Sequence, residues 1–336
     1  MGVSQAQIEL TAEPHLIDLS RAGHELEAAL DAKLRHLPQG SEIILLIPAS
    51  LIRTRRFALS MELSRPVAYA DLDELNEAAA DLPGEEEGLA VLYRQPAAFI
   101  YDHAISHLPP IGESAAKLTT EFLDLSMPLR QASELEEIVT RHGHELRDII
   151  TPHEALAYRR TTEDESEESL LIHLNREDML AVAATETGFS GAGSMAAGVR
   201  HLETDLVLAG LVSEEEAGPL MRAALSRPHT AEKAVLRVLD ARLEEMAGFA
   251  HHVRSAAQGK ASWPVELTGL GHKAKRAAEI FTRVLDHEVT LIADEHLRPL
   301  GQGAQEAWQA PRRISLPGGF LPGSGNALLR WVRRHV

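Results

Sequence analysis

Residues 169–211, SLLIHLNREDMLAVAATETGFSGAGSMAAGVRHLETDLVLAGL, constrain the fold more than any other stretch of this chain. Leu170–Ile172 and Leu180–Ala184 are short apolar runs on either side of a polar turn, Asn175–Asp178. Such a pair predicts a β-hairpin with one buried face. Small residues and glycines from Gly188 to Gly198 predict a loop, and from Val199 the apolar positions Leu202, Leu206, Val207 and Leu211 recur at roughly helical spacing. The order is therefore hairpin, loop, helix. Upstream, Ile8–Ser20 has room for a strand, Arg21–His36 reads as an amphipathic helix with Leu26, Ala29, Leu30 and Leu34 near one face, and Glu42–Ile47 reads as a buried strand.

With the hairpin placed, the chain resembles FtsA, a family of bacterial actin-like division proteins that tether FtsZ filaments to the membrane. Tyr69–Ala79, YADLDELNEAA, is similar to the Thr-x-x-Asp-Val-Asp helix of that family's extra subdomain, called 1C. Gln95–Asp102, QPAAFIYD, is similar to its Pro-x-x-Phe-x-Val-Asp strand, and Pro110-Ile111-Gly112 to its Asp-Pro-Ile-Gly turn, with Pro109 in place of the acid. Leu118–Leu125 then predicts a strand and Glu134–Gly143 a helix, while Asp148–Ala157 resembles the family's Ile-Val-x-x-Pro-x-Ala-Ser-Ala turn into a helix. After the hairpin, Gly198–Leu206, GVRHLETDL, is similar to Gly-Gly-x-His-Ile-Thr-x-Asp-Ile. The resemblance spans nearly the whole sequence. It implies an α/β, actin-like (ribonuclease H-like) two-lobed fold with an FtsA-type 1C subdomain. The implied division is 1–60 for the first lobe without its first hairpin, 61–147 for 1C, 148–168 for the return and linker, and 169–205 for the subdomain called 2A. It continues with 206–262 for a shortened 2B, 263–310 for the rest of 2A, and 311–336 for a flexible linker and terminal amphipathic helix.

The elements that hold nucleotide in the family are altered here. In actin-like ATPases the hairpin turn reads Asp-Ile-Gly-Gly-Gly-Thr-Thr, with glycines bringing backbone to the phosphates and the acid and hydroxyls managing the metal. The corresponding residues His173–Met179 read HLNREDM. Glu177 and Asp178 would repel a triphosphate unless a metal intervened, and side chains from Asn175 onward fill the space that glycines leave open. The adenosine turn, Val-Val-Leu-Thr-Gly-Gly-Gly in the family, is matched by Val265–Gly271, VELTGLG. Gly269 and Gly271 are thus the cofactor-binding candidates for ATP in a degenerate site, while Leu270 adds a side chain. A strand-to-helix turn that keeps its glycines for positive φ alone is the preferred reading. The family's first strand pair, with its Asp-Ile-Gly-Thr loop, has no counterpart; Ile8–Ser20 is assigned to the last strand of that hairpin, so either the first strands were lost or this start is not the native one. The expectation is a pseudo-ATPase with no catalytic residue and no bound cofactor.

Two further segments bear on partners. Between Leu211 and Ala231 the family places a β-hairpin in 2B; here Leu211–Ala217 represents the preceding helix and Met221–Thr230 the connection to a long helix over Ala231–Ala256. In FtsA this subdomain receives the C-terminal peptide of FtsZ, and Arg242 and Glu245 lie in DARLEEM, similar to the family's x-x-x-Arg-x-x-Glu motif. They are the partner-binding candidates; a solvated i,i+3 pair is the preferred account of them. The last segment, 311–336, holds five arginines and no acid in a chain of formal net charge -17. After a Pro/Gly linker, Asn326 is a fitting N-cap for a short helix. At helical spacing Ala327, Leu328, Leu329, Trp331, Val332 and Val336 fall on one side with His335, opposite Arg330, Arg333 and Arg334. Leu328, Leu329, Arg330, Trp331, Val332, Arg333 and Arg334 are the membrane-binding candidates, apolar groups entering the headgroup boundary while arginines meet anionic lipid. A last helix folded back on the core is the alternative.

Composition narrows the rest. At 336 residues and 44% hydrophobic content the chain suffices for two lobes with a substantial core. No apolar run approaches the ~20 residues needed to span a bilayer and no signal peptide is recognisable. Zero cysteines excludes disulfides and thiolate chemistry. The acidic balance argues against nucleic acid, and EDESEE at 163–168 reads as a solvated loop. His142, His144 and Glu145, and His251 with His252, lack the i,i+4 pair with a third ligand that a zinc enzyme needs, so no metal site is assigned. The expectation is a non-catalytic adaptor on the cytoplasmic face of the cell membrane, contacting FtsZ, FtsA-type proteins or itself. A working ATPase and a pilus or secretion platform resembling PilM are the alternatives.

Overall fold

The computed structural model describes residues 14–22, 25–82, 88–158, 168–185, 188–259, 262–292 and 300–309. In lobe I, β1 (His15–Asp18), β2 (Glu42–Leu46) and β7 (Glu145–Ile150) form an all-parallel sheet in the order β1-β2-β7. The sequence of β2, EIILL, is apolar without alternation because both of its faces are covered. Two helices pack beside it: α1 (Leu26–Leu34) buries Leu30 and Leu34, and α3 (Leu129–Arg141) buries Leu135, Ile138 and Val139. In lobe II, β8 (Ser169–Leu174), β9 (Met179–Thr185), β10 (Gly188–Met195), β11 (Val265–Thr268) and β12 (Val289–Leu291) form one sheet in the order β10-β9-β8-β11-β12. There β8, β11 and β12 run parallel, and β9 and β10 add an antiparallel edge.

The parallel trio of lobe I repeats that of lobe II, and this duplicated α/β plan is the two-lobed actin-like fold. The repeat also locates the missing hairpin. Because β1 pairs in parallel with its neighbour, as β8 does, it is the counterpart of β8 and not the last strand of a lost hairpin. Lobe II continues from β8 through β9 and β10 before reaching α5 (Val199–Leu208), whereas only the seven residues 19–25 join β1 to α1. The absent pair therefore follows β1. An apolar run reveals a strand but not its direction, so the sequence alone placed the loss on the wrong side.

A second difference concerns Gly188–Gly198. The expected loop is mostly strand β10, and its glycines answer to close packing rather than to a turn. A Cβ on Gly191 would lie 2.6 Å from the Ala257 Cβ, and one on Gly193 would lie 2.9 Å from the Phe249 ring, both on or just beyond α7 (Lys233–Ala256). Along β8 and β9 the side chains alternate as a two-sided strand requires. Leu171, Leu180 and Val182 join the core of lobe I, while Leu170, Ile172, Met179 and Ala181 face the helices of lobe II. Those helices are α5, α6 (Glu214–Ser226), α7 and α8 (Lys275–Leu285). The expected connection at Met221–Thr230 begins inside α6, whose Met221, Ala224 and Leu225 are buried at i, i+3 and i+4. The last described helix, α9 (Leu300–Gln309), belongs by its packing to lobe I, where Leu300, Ala304 and Ala307 are buried.

Between β2 and α3 the chain inserts β3 (Arg53–Glu62), α2 (Tyr69–Asp81), β4 (Leu89–Tyr101), β5 (Ala104–Ser106) and β6 (Lys117–Pro128), an antiparallel sheet ordered β3-β6-β4-β5. Its small core contains Leu72, Leu75, Phe99 and Phe122. The subdomain turns back on lobe II. Arg56 donates to the Ser190 carbonyl (2.8 Å), Gln95 donates to the Phe189 carbonyl, and Tyr93 stacks on Phe189 at 4.9 Å. His107, just beyond β5, sits 3.1 Å from both Glu168 and the Ala257 carbonyl, and the Trp263 indole N–H reaches Glu168 at 2.7 Å. Glu168, expected in a solvated acidic loop, is instead an anchor between the inserted subdomain and lobe II. The rest of that expected loop lies outside the described residues.

Inside the inserted subdomain, Arg94 and Asp124 form a buried bidentate pair at 2.6 and 2.7 Å, and Arg94 also donates to the Ala79 and Leu82 carbonyls at the end of α2. Removing one partner leaves an uncompensated buried charge. Asp124→Asn is expected to cost about 3–5 kcal/mol, read as a lowered midpoint in urea unfolding; a change within ±0.5 kcal/mol would show that the pair does not hold α2 to the sheet.

Candidate functional site

The cleft between the lobes is where residues from both halves of the sequence converge, with a volume of about 2160 Å³. Its lobe I wall comes from the end of β1, Ser20, Arg21, Ala22 and Glu25, the start of α1, and α3; its lobe II wall comes from the 174–178 turn, the start of α5, and Gly269. Carboxylates outnumber arginines along it. Asp18, at the end of β1, accepts from the backbone N–H and hydroxyl of Ser20 at 2.9 and 2.6 Å, and its carbonyl accepts from Lys33 at 2.7 Å.

The hairpin turn closes on itself and on the helix beside it. The Asn175 amide donates to the Asp178 carboxylate at 2.8 Å, and the Asn175 N–H to the Asp178 carbonyl at 2.8 Å. The first two N–H groups of α5 are already occupied: Val199 donates to the Asn175 carbonyl (2.9 Å) and Arg200 to the Arg176 carbonyl (2.8 Å). Those are the N–H groups that a helix start otherwise offers to an anion. At the surface of the turn Glu177 takes Arg200 at 3.2 Å and Arg176 at 3.7 Å. Burial pushes the Asp178 carboxyl above its ordinary value; the Asn175 amide opposes this and the neighbouring Glu177 carboxylate adds to it.

The two glycine candidates behave differently. Gly269 has φ +91° and an added Cβ would strike the Leu174 carbonyl, so both its conformation and its contact with β8 demand glycine. Gly271 has φ +77° with open space around it. Gly269 lines the cleft, and its requirement is met within the strand-to-helix turn. Nearby, His173 bonds Thr268 at 2.6 Å, tying β8 to β11 beside that turn.

Arg242 and Glu245 lie on the far side of lobe II. Arg242 holds Asp205 of α5 through 2.8 and 3.2 Å bonds and Glu245 through a 2.6 Å bond, so it braces α7 against α5 as well as its own helix. The second brace was not legible from spacing. The membrane-binding candidates Leu328, Leu329, Arg330, Trp331, Val332, Arg333 and Arg334 lie outside the described residues. No helix among the described residues is long and apolar enough to cross a membrane. Among the same residues no group of three His or acidic side chains is placed to hold a metal ion; His142 pairs with Asp31 at 2.8 Å and His144 with the Leu34 carbonyl at 3.3 Å.

Where the lobes meet, α4 (Pro152–Ala157) is capped by Thr151 and Glu154, which exchange side-chain and backbone hydrogen bonds at 2.9 to 3.2 Å. Between these two, His153, the second residue of this helix, is wholly buried, and the helix packs on β9 and β10. Neither ring nitrogen makes a hydrogen bond of normal geometry, although the Gly193 backbone lies close enough to oppose the shift weakly; burial takes the imidazole from 6.5 down to about 4.

No protein-family model and no curated protein matches this sequence. Among solved structures, the ethanolamine utilization protein EutJ from Carboxydothermus hydrogenoformans is similar at 20% identity over 52% of this chain and 61% of its own, with a TM-score of 0.38. The PilM-PilN type IV pilus biogenesis complex is similar at 15% identity over 93% of this chain and 86% of the other, with a TM-score of 0.48. MreB5 of Spiroplasma citri bound to AMPPNP is similar at 10% identity over 54% and 64%, with a TM-score of 0.43. This chain thus spans about three fifths of the EutJ chain. The class of protein is set by the duplicated sheets described above, that of the actin-like fold, and likenesses at these scores add no argument to it.

Two pH effects follow. Because Asp178 is harder to ionise folded than unfolded, the native state gains stability as pH falls through the range just above the ordinary carboxylate value of 3.8. Asp178→Asn is expected to raise Tm at pH 7, with the gain shrinking toward pH 4; an unchanged or lowered Tm at pH 7 would contradict this. His153 acts in the opposite sense, since the unfolded chain takes up its proton first as pH falls. Its stability contribution is complete above 6.5 and lost down to about 4, amounting to about 3 kcal/mol at full development. A His153→Leu variant should flatten the decline in stability between pH 6.5 and 4.5 that the unaltered protein shows in calorimetry.

Proposed function

We propose that this chain is a non-catalytic actin-fold adaptor of the FtsA type, acting on the cytoplasmic face of the cell membrane through protein contacts and its basic C-terminal segment. The observation that carries the reading is the occupation of the α5 start by the Asn175 and Arg176 carbonyls. A phosphate there would have to displace two backbone hydrogen bonds and approach Glu177 and Asp178 as well. Lobe I supports the same reading, because the hairpin that would carry a facing loop has no counterpart between β1 and α1. Gly269 keeps its place in the turn for its own packing. What remains is a two-lobed body, suited to presenting surfaces rather than to turning over ATP.

Attachment is assigned to residues 327–336, whose apolar side enters the headgroup boundary while Arg330, Arg333 and Arg334 meet anionic lipid, at about 1 kcal/mol for each basic residue near the surface. One short helix binds weakly, so stable attachment calls for self-association or a partner that supplies further anchors. FtsZ and FtsA-type division proteins are the partners the sequence resemblance implies. Arg242 is committed to Asp205 and Glu245, which favours a contact surface other than that arginine.

Co-sedimentation with anionic vesicles tests the reading, comparing the full chain with one ending at Ala310, with and without ATP. Tail-dependent binding indifferent to ATP is the expected result. ATP-dependent binding would favour a working ATPase. Absence of binding, together with crosslinking that returns pilus proteins and no division proteins, would favour a PilM-like platform.

A further inference from the structure

We propose that the interlobe cleft is a docking groove for the chain's own residues 327–336, so that the segment assigned to the membrane has a second resting place on the body that bears it. The proposal rests on the amphipathic reading of that segment given above. Two kinds of complementarity point to it. Leu26, Leu51, Leu135, Ile138 and Met195 give the cleft an apolar floor and wall, matching the Leu328, Leu329, Trp331 and Val332 side of a helix. Around them stand carboxylates, matching Arg330, Arg333 and Arg334; Glu25 and Glu27 have no ion-pair partner among the described residues, and Glu203 lines the lobe II wall. Of the five arginines that line the cleft, Arg176 and Arg200 pair with Glu177, itself a lining residue, and Arg141 pairs with Glu137; Arg21 and Arg222 complete the set against eight lining carboxylates, so negative charge is in excess. This is the helix-in-groove mode of recognition, with apolar anchors fixing the face and charges fixing the direction.

Size and reach agree. A ten-residue helix is about 15 Å long and 10 Å across, roughly 1200 Å³, against a cleft of about 2160 Å³. Leu300 at the start of α9 lines the cleft, so the end of this ten-residue helix lies about 15 Å away. A linker of 17 residues with the Pro and Gly content of 310–326 has an expected reach of roughly 20–25 Å, enough to bring 327–336 back. Tethering also sets an effective concentration on the order of millimolar, which populates even a weak contact. Docking and lipid binding use the same arginines and the same apolar side, so they exclude each other. By linkage, any ligand that fills the cleft frees the segment for the membrane to the same extent that lipid vacates the cleft.

The chain has no cysteines, so two introduced ones label it uniquely. Spin labels on Ala28→Cys, which is exposed in the cleft, and Ala327→Cys in the full-length protein allow the distance between groove and tail to be measured by pulsed electron resonance. At low ionic strength a distinct short-distance population is expected. It should fall at least several-fold in 1 M salt, in Glu25→Gln/Glu27→Gln, whose side chains are exposed, and in Arg330→Gln/Arg333→Gln/Arg334→Gln. Phosphatidylglycerol vesicles should abolish it by withdrawing the tail. A broad distribution at low salt, indistinguishable from that in 1 M salt, overturns the docking whatever vesicles do. A short population that responds to salt and to both variants but not to vesicles upholds the docking and sinks the membrane reading instead.

Discussion

The two lobes share one hydrophobic core, and the other features of the molecule depend on that continuity. One face of the β8-β9-β10 hairpins, through Leu171, Leu180, Val182 and Phe189, packs into the same cluster as β2, β7 and α9. The short helix α4 sits in that seam, capped at Thr151 and buried along most of its length. A polar group in such a place must be neutral or paired, which is why His153 gives up its proton so readily. The cleft on one side and the inserted subdomain on the other are both hung from this seam.

Among the described residues lobe II has five strands and lobe I the parallel three. With β9 and β10 present, lobe II brings a turn up against the start of α5, and the turn's carbonyls complete the helix. In lobe I only seven residues separate β1 from α1, and among the described residues Asp18, Ser20, Arg21, Ala22 and Glu25 line that wall of the cleft together with the start of α1. The cleft is correspondingly wide, lined by side chains rather than by two backbone loops. Most of its surplus of carboxylates stands outside the turn, at Asp18, Glu25, Glu27, Asp31, Glu134 and Glu203, and Glu177 and Asp178 of the turn add to it.

Much of this was legible in the residues. The apolar runs of β8 and β9, the helical spacing of Leu202 and Leu206, and the unbroken apolar run of β2 each announce their element, although the hairpin expected to bury one face buries both. The replaced turn was equally visible, since Asn175–Asp178 places large polar side chains where small ones would be needed. Other features depended on partners distant in sequence. The glycines of β10 suggest a loop until Ala257 and Phe249 of the α7 region are placed against them. Glu168 reads as solvent-facing until Trp263 and His107 reach it. Arg242 shows its i+3 partner in the sequence and conceals Asp205, which lies on another helix. The pairing direction of β1 is a matter of tertiary geometry altogether, and with it the position of the lost hairpin.

The inserted subdomain has a consequence for how copies of this chain can meet. β10 is an edge strand, rich in glycine and narrow enough to lie flush against another backbone, the kind of edge that recruits strands from other molecules. Its outward carbonyls at Phe189 and Ser190 are taken by Gln95 and Arg56, and Tyr93 covers the Phe189 ring. Sheet extension at that end of the strand is thereby blocked. If these molecules assemble, they do so through side-chain surfaces, and the inserted subdomain serves as a guard against aggregation as much as an added module.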